Sequence, residues 1–194
     1  MDLAVTAAWQ SAARVFESLG AQVIATRLPS WYFELAVPTG RIIASEAYSL
    51  HREYVNDDSA PLGPAVRNRI VAANQFGPGE YAEDLRTMAQ RRREFSEWFQ
   101  DYDAILLPTT AIPAIALEDV DEASPIPGYL TRPVNYLGLC ALSQPAGLVG
   151  GLPVGVQIIG KPFAECTVLA FGQAFEAATP FHALRPNLTA LGLE

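Results

Sequence analysis

The sequence predicts an α/β fold in which a mixed β-sheet is flanked by helices. Three observations carry that expectation. Two short apolar runs, residues 139–144 and 154–159, are split by Pro145-Ala146-Gly147 and Gly150-Gly151-Leu152-Pro153, the punctuation of antiparallel strands joined by a loop of several residues. Both runs are largely apolar on both faces, as strands in a covered sheet are. Near the N-terminus a helical pattern gives way to another short β-rich run, and a long amphipathic stretch ending near residue 101 feeds a further one.

Taken in order, Asp2 is placed to cap a first helix. Its Val5, Trp9, Ala12, Phe16 and Leu19 alternate at spacings of four and three on one face, and Gly20 supplies a left-handed stop. Residues 21–26, around Val23 and Ile24, read as a buried strand closed by Leu28-Pro29. Ser30 caps a helix through Trp31, Phe33, Leu35 and Ala36 that Pro38 and Gly40 are expected to break or kink. A second helix is expected from about residue 41, with Ile43, Ala47, Leu50 and Tyr54 inward. Residues 56–61 have the composition of a solvated loop. Gly63-Pro64 opens a short helix with Val66, Ile70 and Ala73 on one side, ended by Phe76-Gly77-Pro78-Gly79.

Residues 80–101 form the long amphipathic pattern: Tyr81, Leu85 and Met88, then Phe95, Trp98, Phe99 and Tyr102. The triplet Arg91-Arg92-Arg93 lies beside Glu94 and Glu97, which reads as a solvated face with local pairing. Residues 102–108 follow as a buried strand and residues 109–127 as a loop rich in Pro and Ala. Beyond the hairpin, residues 165–178 read as a closing helix with Val168, Phe171, Gly172 and Phe175 inward, and residues 181–194 as irregular.

The 194 residues suffice for one domain, or part of one, spanning 1–194, since a chain of this length buries roughly 70% of its unfolded surface. A net charge of -8 and a pI near 4.8 argue against nucleic acid and anionic membranes as partners. No apolar run approaches the roughly 18 residues of a membrane helix. Cys140 and Cys166 read as unpaired thiols of a reducing, cytoplasmic setting. With half the residues hydrophobic and a mean hydropathy of +0.15, some apolar surface is available to another segment or chain.

Catalytic and metal-binding patterns are sparse. The acids Glu118, Asp119, Asp121 and Glu122 cluster without a spaced oxygen-ligand loop, and no His/Cys group has zinc spacing. No metal and no cofactor is expected. His51 and His182 are isolated, Cys140 falls in a core strand, and no serine sits in a G-x-S-x-G elbow.

Several segments together resemble the amidase signature family. The strongest are Thr131, Pro133, Asn135 and Gly138 (T-x-P-x-N-x-x-G), Pro145-Ala146-Gly147, and Leu152, Pro153, Val154, Gly155, Gln157 and Gly160 (L-P-V-G-x-Q-x-x-G). Tyr102, Asp103, Leu106, Pro108 and Thr109 match a Y/F-D-x-x-L-x-P-T segment, and Glu46, Ala47 and His51 an E-A-x-x-x-H helix.

The resemblance implies the C-terminal portion of a cofactor-free hydrolase of linear amide bonds. Members of the family use a Ser-Ser-Lys arrangement: a serine nucleophile, a second serine in an unusual cis peptide and a lysine base. That arrangement belongs to a region preceding the part resembled here. This chain has one lysine, Lys161, and no Ser-Ser pair, so no catalytic residue is expected in it. Tyr129, Leu130, Thr131 and Asn135 become the candidates for a substrate-pocket wall. In glutamine-using relatives an aspartate stands a few residues before the threonine. Gly128 stands there here, which argues against a glutamine amidotransferase. The implied partners are a small-molecule amide substrate in the complete enzyme, and either a second copy or the missing N-terminal half. The alternative is a non-catalytic binding or regulatory module derived from an amidase.

Overall fold

Three strands, β1 (Ile105–Pro108), β2 (Cys140–Val149) and β3 (Leu152–Gly160), pair in the order β1-β3-β2, each antiparallel to its neighbour. They are seen in a computed structural model that describes residues 1–122 and 124–185. β2 and β3 are the expected hairpin, but the expected loop of several residues is a two-residue turn. Gly150 and Gly151 carry it with φ of 59° and 82°, left-handed values that a residue without Cβ adopts freely. The ladder continues through Pro145 and Gly147 with a register shift between them, so Ala146 is an inserted, buried residue.

Helices cover both faces of this sheet. On one face lie α1 (Leu3–Ser18) and α6 (Glu165–Ala178), where Ala12, Phe16, Val168 and Phe175 join Ala146, Val156 and Ile158 in one core. Phe16 stacks on Phe175 with ring centres 5.3 Å apart. The Asp2 cap is as expected, its Oδ1 accepting from the backbone N–H groups of Ala4 (2.7 Å) and Val5 (3.1 Å). Trp9 Nε1 donates to the Leu106 carbonyl at 3.0 Å and so pins α1 to β1. α6 has the expected bounds, with Val168, Gly172 and Phe175 buried.

On the other face α2 (Ala36–Val55), α4 (Pro78–Phe99) and α5 (Arg132–Leu137) enclose a second core, and the short α3 (Pro64–Val71) packs against α2. It gathers Tyr32, Leu35, Ile42, Phe95, Phe99, Tyr136 and Leu137, with Ile105 and Leu107 of β1 packed against it. Arg41 and Asp84 pair across α2 and α4, Nε to Oδ2 at 2.7 Å and Nη2 to Oδ1, with Asp84 4% exposed. Of the arginine triplet, Arg91 pairs with Glu94 at 2.7 Å as expected and also lies over the Trp31 ring. Arg92 instead donates to the Tyr136 carbonyl at 2.8 Å, joining α4 to α5.

The structure corrects three expectations. Residues 21–26 carry no regular secondary structure and join neither ladder, and Val23 and Ile24 are 41% and 54% exposed: a strand needs a neighbour, and none of the described strands pairs with this segment. Pro38 and Gly40 do not break the helix. Pro38 lies in the first turn of α2, where its missing N–H has no carbonyl to meet, after a single 3₁₀ turn over Tyr32–Leu35. Finally, Ile43, Leu50 and Tyr54 are exposed and Ala47 only half-buried, because α2 turns Arg41 and Ile42 toward α4. No described helix is long and apolar enough to cross a membrane.

Candidate functional site

Of the expected wall residues, Tyr129, Leu130 and Thr131 link a 3₁₀ turn over Ile126–Gly128 to α5, and Asn135 lies within α5. The sequence reading assigned no helix there. Six residues is too short for a periodic signal, yet Pro133 in the first turn and Gly138 at φ 69° are the start and stop such a helix needs. Tyr129 stacks on Phe33, ring centres 5.5 Å apart and planes 13° apart, and both residues are 37% exposed. Leu130 is buried at 6% exposure. The Thr131 carbonyl receives the N–H groups of Val134 (3.2 Å) and Asn135 (3.4 Å), and its hydroxyl donates to the Gly128 carbonyl at 3.4 Å. Asn135 is exposed on α5, so the stretch brings Tyr129, Leu130 and Thr131 together and leaves Asn135 a turn away.

Beneath this stretch the sheet presents polar groups. Gln157 is 2% exposed and its Nε2 donates to two carbonyls, Pro108 and Leu130, each at 3.0 Å. Ser143 is its ladder partner on β2. The Ser143 and Thr109 hydroxyls bond each other at 2.7 Å, across the position where a Cβ on Gly155 would come within 3.0 Å of Thr109 Oγ1 and 3.2 Å of Ser143 Oγ. Glycine at 155 is what lets the pair close. This shelf was not singled out from sequence, although one glutamine inside an apolar run is a readable signal: a buried amide is kept only where carbonyls meet it.

The groups present can hydrogen-bond a neutral polar molecule. They do not make a nucleophile with its base: the Ser143 hydroxyl faces another hydroxyl, which is too weak a base to take its proton. Lys161 Nζ donates to the Gln100 carbonyl at 3.0 Å and lies 5.7 Å from the centre of the Phe99 ring. His182 Nδ1 faces the Thr179 carbonyl at 3.1 Å, and His51 is exposed. Cys140 and Cys166 are free thiols, as expected, with Cys140 Sγ donating to the Lys161 carbonyl at 3.1 Å. Among the described residues no three His, Cys, Asp or Glu side chains gather closely enough to hold a metal. An open, mostly apolar hollow of about 380 Å³ lies on the opposite sheet face, between Leu142 and Gln144 of β2 and Leu169 and Gln173 of α6. It includes none of the expected wall residues.

A family model described as amidase matches residues 1–169. A glutamyl-tRNA(Gln) amidotransferase subunit from Latilactobacillus sakei is 37% identical over 216 aligned residues, covering 96% of this chain and 44% of that protein. The same subunit from Symbiobacterium thermophilum is 35% identical, covering 99% and 45%. Among solved structures, an amidase superposes with a TM-score of 0.79 at 27% identity, over 91% of this chain and 42% of its own. A bacterial aryl acylamidase of the amidase signature family superposes with a TM-score of 0.75 at 26% identity, over 96% and 44%. The chain thus spans less than half the length of the curated relatives it matches.

Proposed function

The chain belongs to the amidase signature family, whose enzymes act on carbon–nitrogen bonds, and from that premise we propose that it supplies the sheet core and part of the substrate pocket of a hydrolase of linear amide bonds. The nucleophile and its base come, in this reading, from a segment outside these 194 residues. What carries it is that the Ser143 hydroxyl and the Lys161 ammonium are each engaged elsewhere, by Thr109 and by the Gln100 carbonyl.

Tyr129, Leu130 and Thr131, with Asn135, form the pocket wall for a small-molecule amide, and no cofactor takes part. Two free thiols suit a cytoplasmic protein. The two curated relatives named above are amidotransferase subunits, but Gly128 stands where glutamine-using relatives hold an aspartate, which favours a plain hydrolase.

Ammonia release from simple amides tests this, measured for the chain alone and after pairing with an amidase segment that carries Gly-Ser-Ser and a lysine. The chain alone stays at background, since loss of a whole triad costs about a millionfold in turnover; the pair turns over amides but not glutamine. Release by the chain alone, abolished by Ser143→Ala and by Lys161→Ala, overturns the reading. Background rates in both arms favour a non-catalytic binding module instead.

A further inference from the structure

Gln157 is the one polar side chain among the buried residues of β3, and a leucine or methionine of similar volume would pack there without the cost of burying an amide. Its two amide hydrogens go to two different pieces of chain. One bond reaches Pro108, the last residue of β1, and the other reaches Leu130 in the stretch read above as the pocket wall. The sheet face changes character at this residue. Ile159, two positions along, is fully buried, whereas Ser143 opposite Gln157 is exposed and Gly155 half-exposed. The amide therefore stands at the boundary between covered and open sheet, holding the wall to the end of β1.

We propose that Gln157 is the positioning residue of the candidate site. It sets the gap between residues 129–131 and the Thr109–Ser143 hydroxyl shelf, and so selects which amides enter, without touching them. The proposal rests on reading residues 129–131 as a pocket wall.

Hydrogen exchange with mass spectrometry on the full chain tests it. Gln157→Met keeps the volume and removes both donors. Gln157→Glu has a donor only when its carboxyl is protonated and, when ionised, sets a negative charge against two carbonyls. The expected result is amide exchange over residues 129–137 about tenfold faster or more in Gln157→Met, with the β2–β3 amides unchanged. In Gln157→Glu, after correction for intrinsic rates, protection of the wall returns as pH falls through the carboxyl pKa. A general loss of packing has no reason to follow that titration, so recovery in Gln157→Glu supports the proposal even if Gln157→Met loosens the whole sheet. Wall protection equal to wild type overturns it, as does joint loss in wall and hairpin that does not return in Gln157→Glu at low pH. None of these readouts depends on turnover, so a failed hydrolase reading, seen in ammonia release, is distinguishable from a failed clamp.

Discussion

Asp84 is a carboxylate at 4% exposure whose two oxygens are both taken by Arg41. Removing the guanidinium strands a buried charge, and Arg41→Met is expected to cost about 3 kcal/mol in urea unfolding; Arg41 is itself one-third exposed, which keeps the figure at the low end. Among the described residues, the buried Tyr32 and Tyr136 hydroxyls have no hydrogen-bond partner. Burial pushes both phenols above their ordinary value, and nearby Asp84 adds to the effect at Tyr136. The fold thus favours the neutral phenol. That contribution is complete below the unfolded tyrosine value of about 10 and is lost as pH rises from there toward the folded values. Unfolding midpoints should fall above pH 10, and less steeply in Tyr32→Phe/Tyr136→Phe. At neutral pH the double variant should be no less stable than wild type, since it removes two unmade hydrogen bonds. The Asp2 cap could be read from sequence because it acts on neighbours two and three residues away. Asp84 could not: beside Glu80 and Glu83 it looks like one more solvated acid, and only the crossing of α2 over α4 buries it.

At the scale of elements, residues lacking a side chain decide how closely neighbours approach. A Cβ at Gly160 would come within 2.5 Å of Val168 Cγ2 and 2.9 Å of Cys140 Sγ, both short side chains with little room to turn. Gly160→Ala is expected to cost about 1–3 kcal/mol by thermal unfolding, because α6 must lift from the sheet. At the hairpin tip nothing lies within 4 Å of a Cβ on Gly150 or Gly151, so only the backbone matters. Gly150→Asn should be nearly neutral, whereas Gly151→Val should cost about 1–2 kcal/mol. Local patterns made the hairpin, α1 and α6 legible, since each carries its own punctuation. Two readings failed for one reason: periodicity reports which residues share a face, not what that face meets. Residues 21–26 have the composition of a strand and no described ladder. The stripe of Ile43, Ala47, Leu50 and Tyr54 is a true helical face that the described chain leaves on the outside. A lone glutamine in an apolar run marks Gln157, but its partners and the Thr109–Ser143 pair were out of reach because each bond joins segments tens of residues apart.

For the whole molecule, two cores on either side of three strands leave β1 and β2 at the sheet's edges. Leu50 is 79% exposed, Val37 65% and Ile43 58% along one helix, and Phe163 is 95% exposed with a left-handed φ of 61°, an unusual conformation for an aromatic residue. Open edges and contiguous apolar surface promote association. Sedimentation of the pure chain over a wide concentration range should therefore find dimers or larger species. A monomer at all concentrations that unfolds cooperatively would show that the exposed stripe needs no cover.

The bond from Trp9 to Leu106 joins residues 97 apart in sequence, while the two hairpin strands are separated only by Gly150 and Gly151. Closing a chain loop costs entropy that grows with its length, so contacts near in sequence are made first. The hairpin can zip early, but the surface that receives α1 exists only once β1 has joined β3 alongside it. Although made before β1 and the hairpin, α1 is thus among the last of these elements to find its seat, and its apolar face with Trp9 and Phe16 must wait in solvent until residues 140–160 have been made.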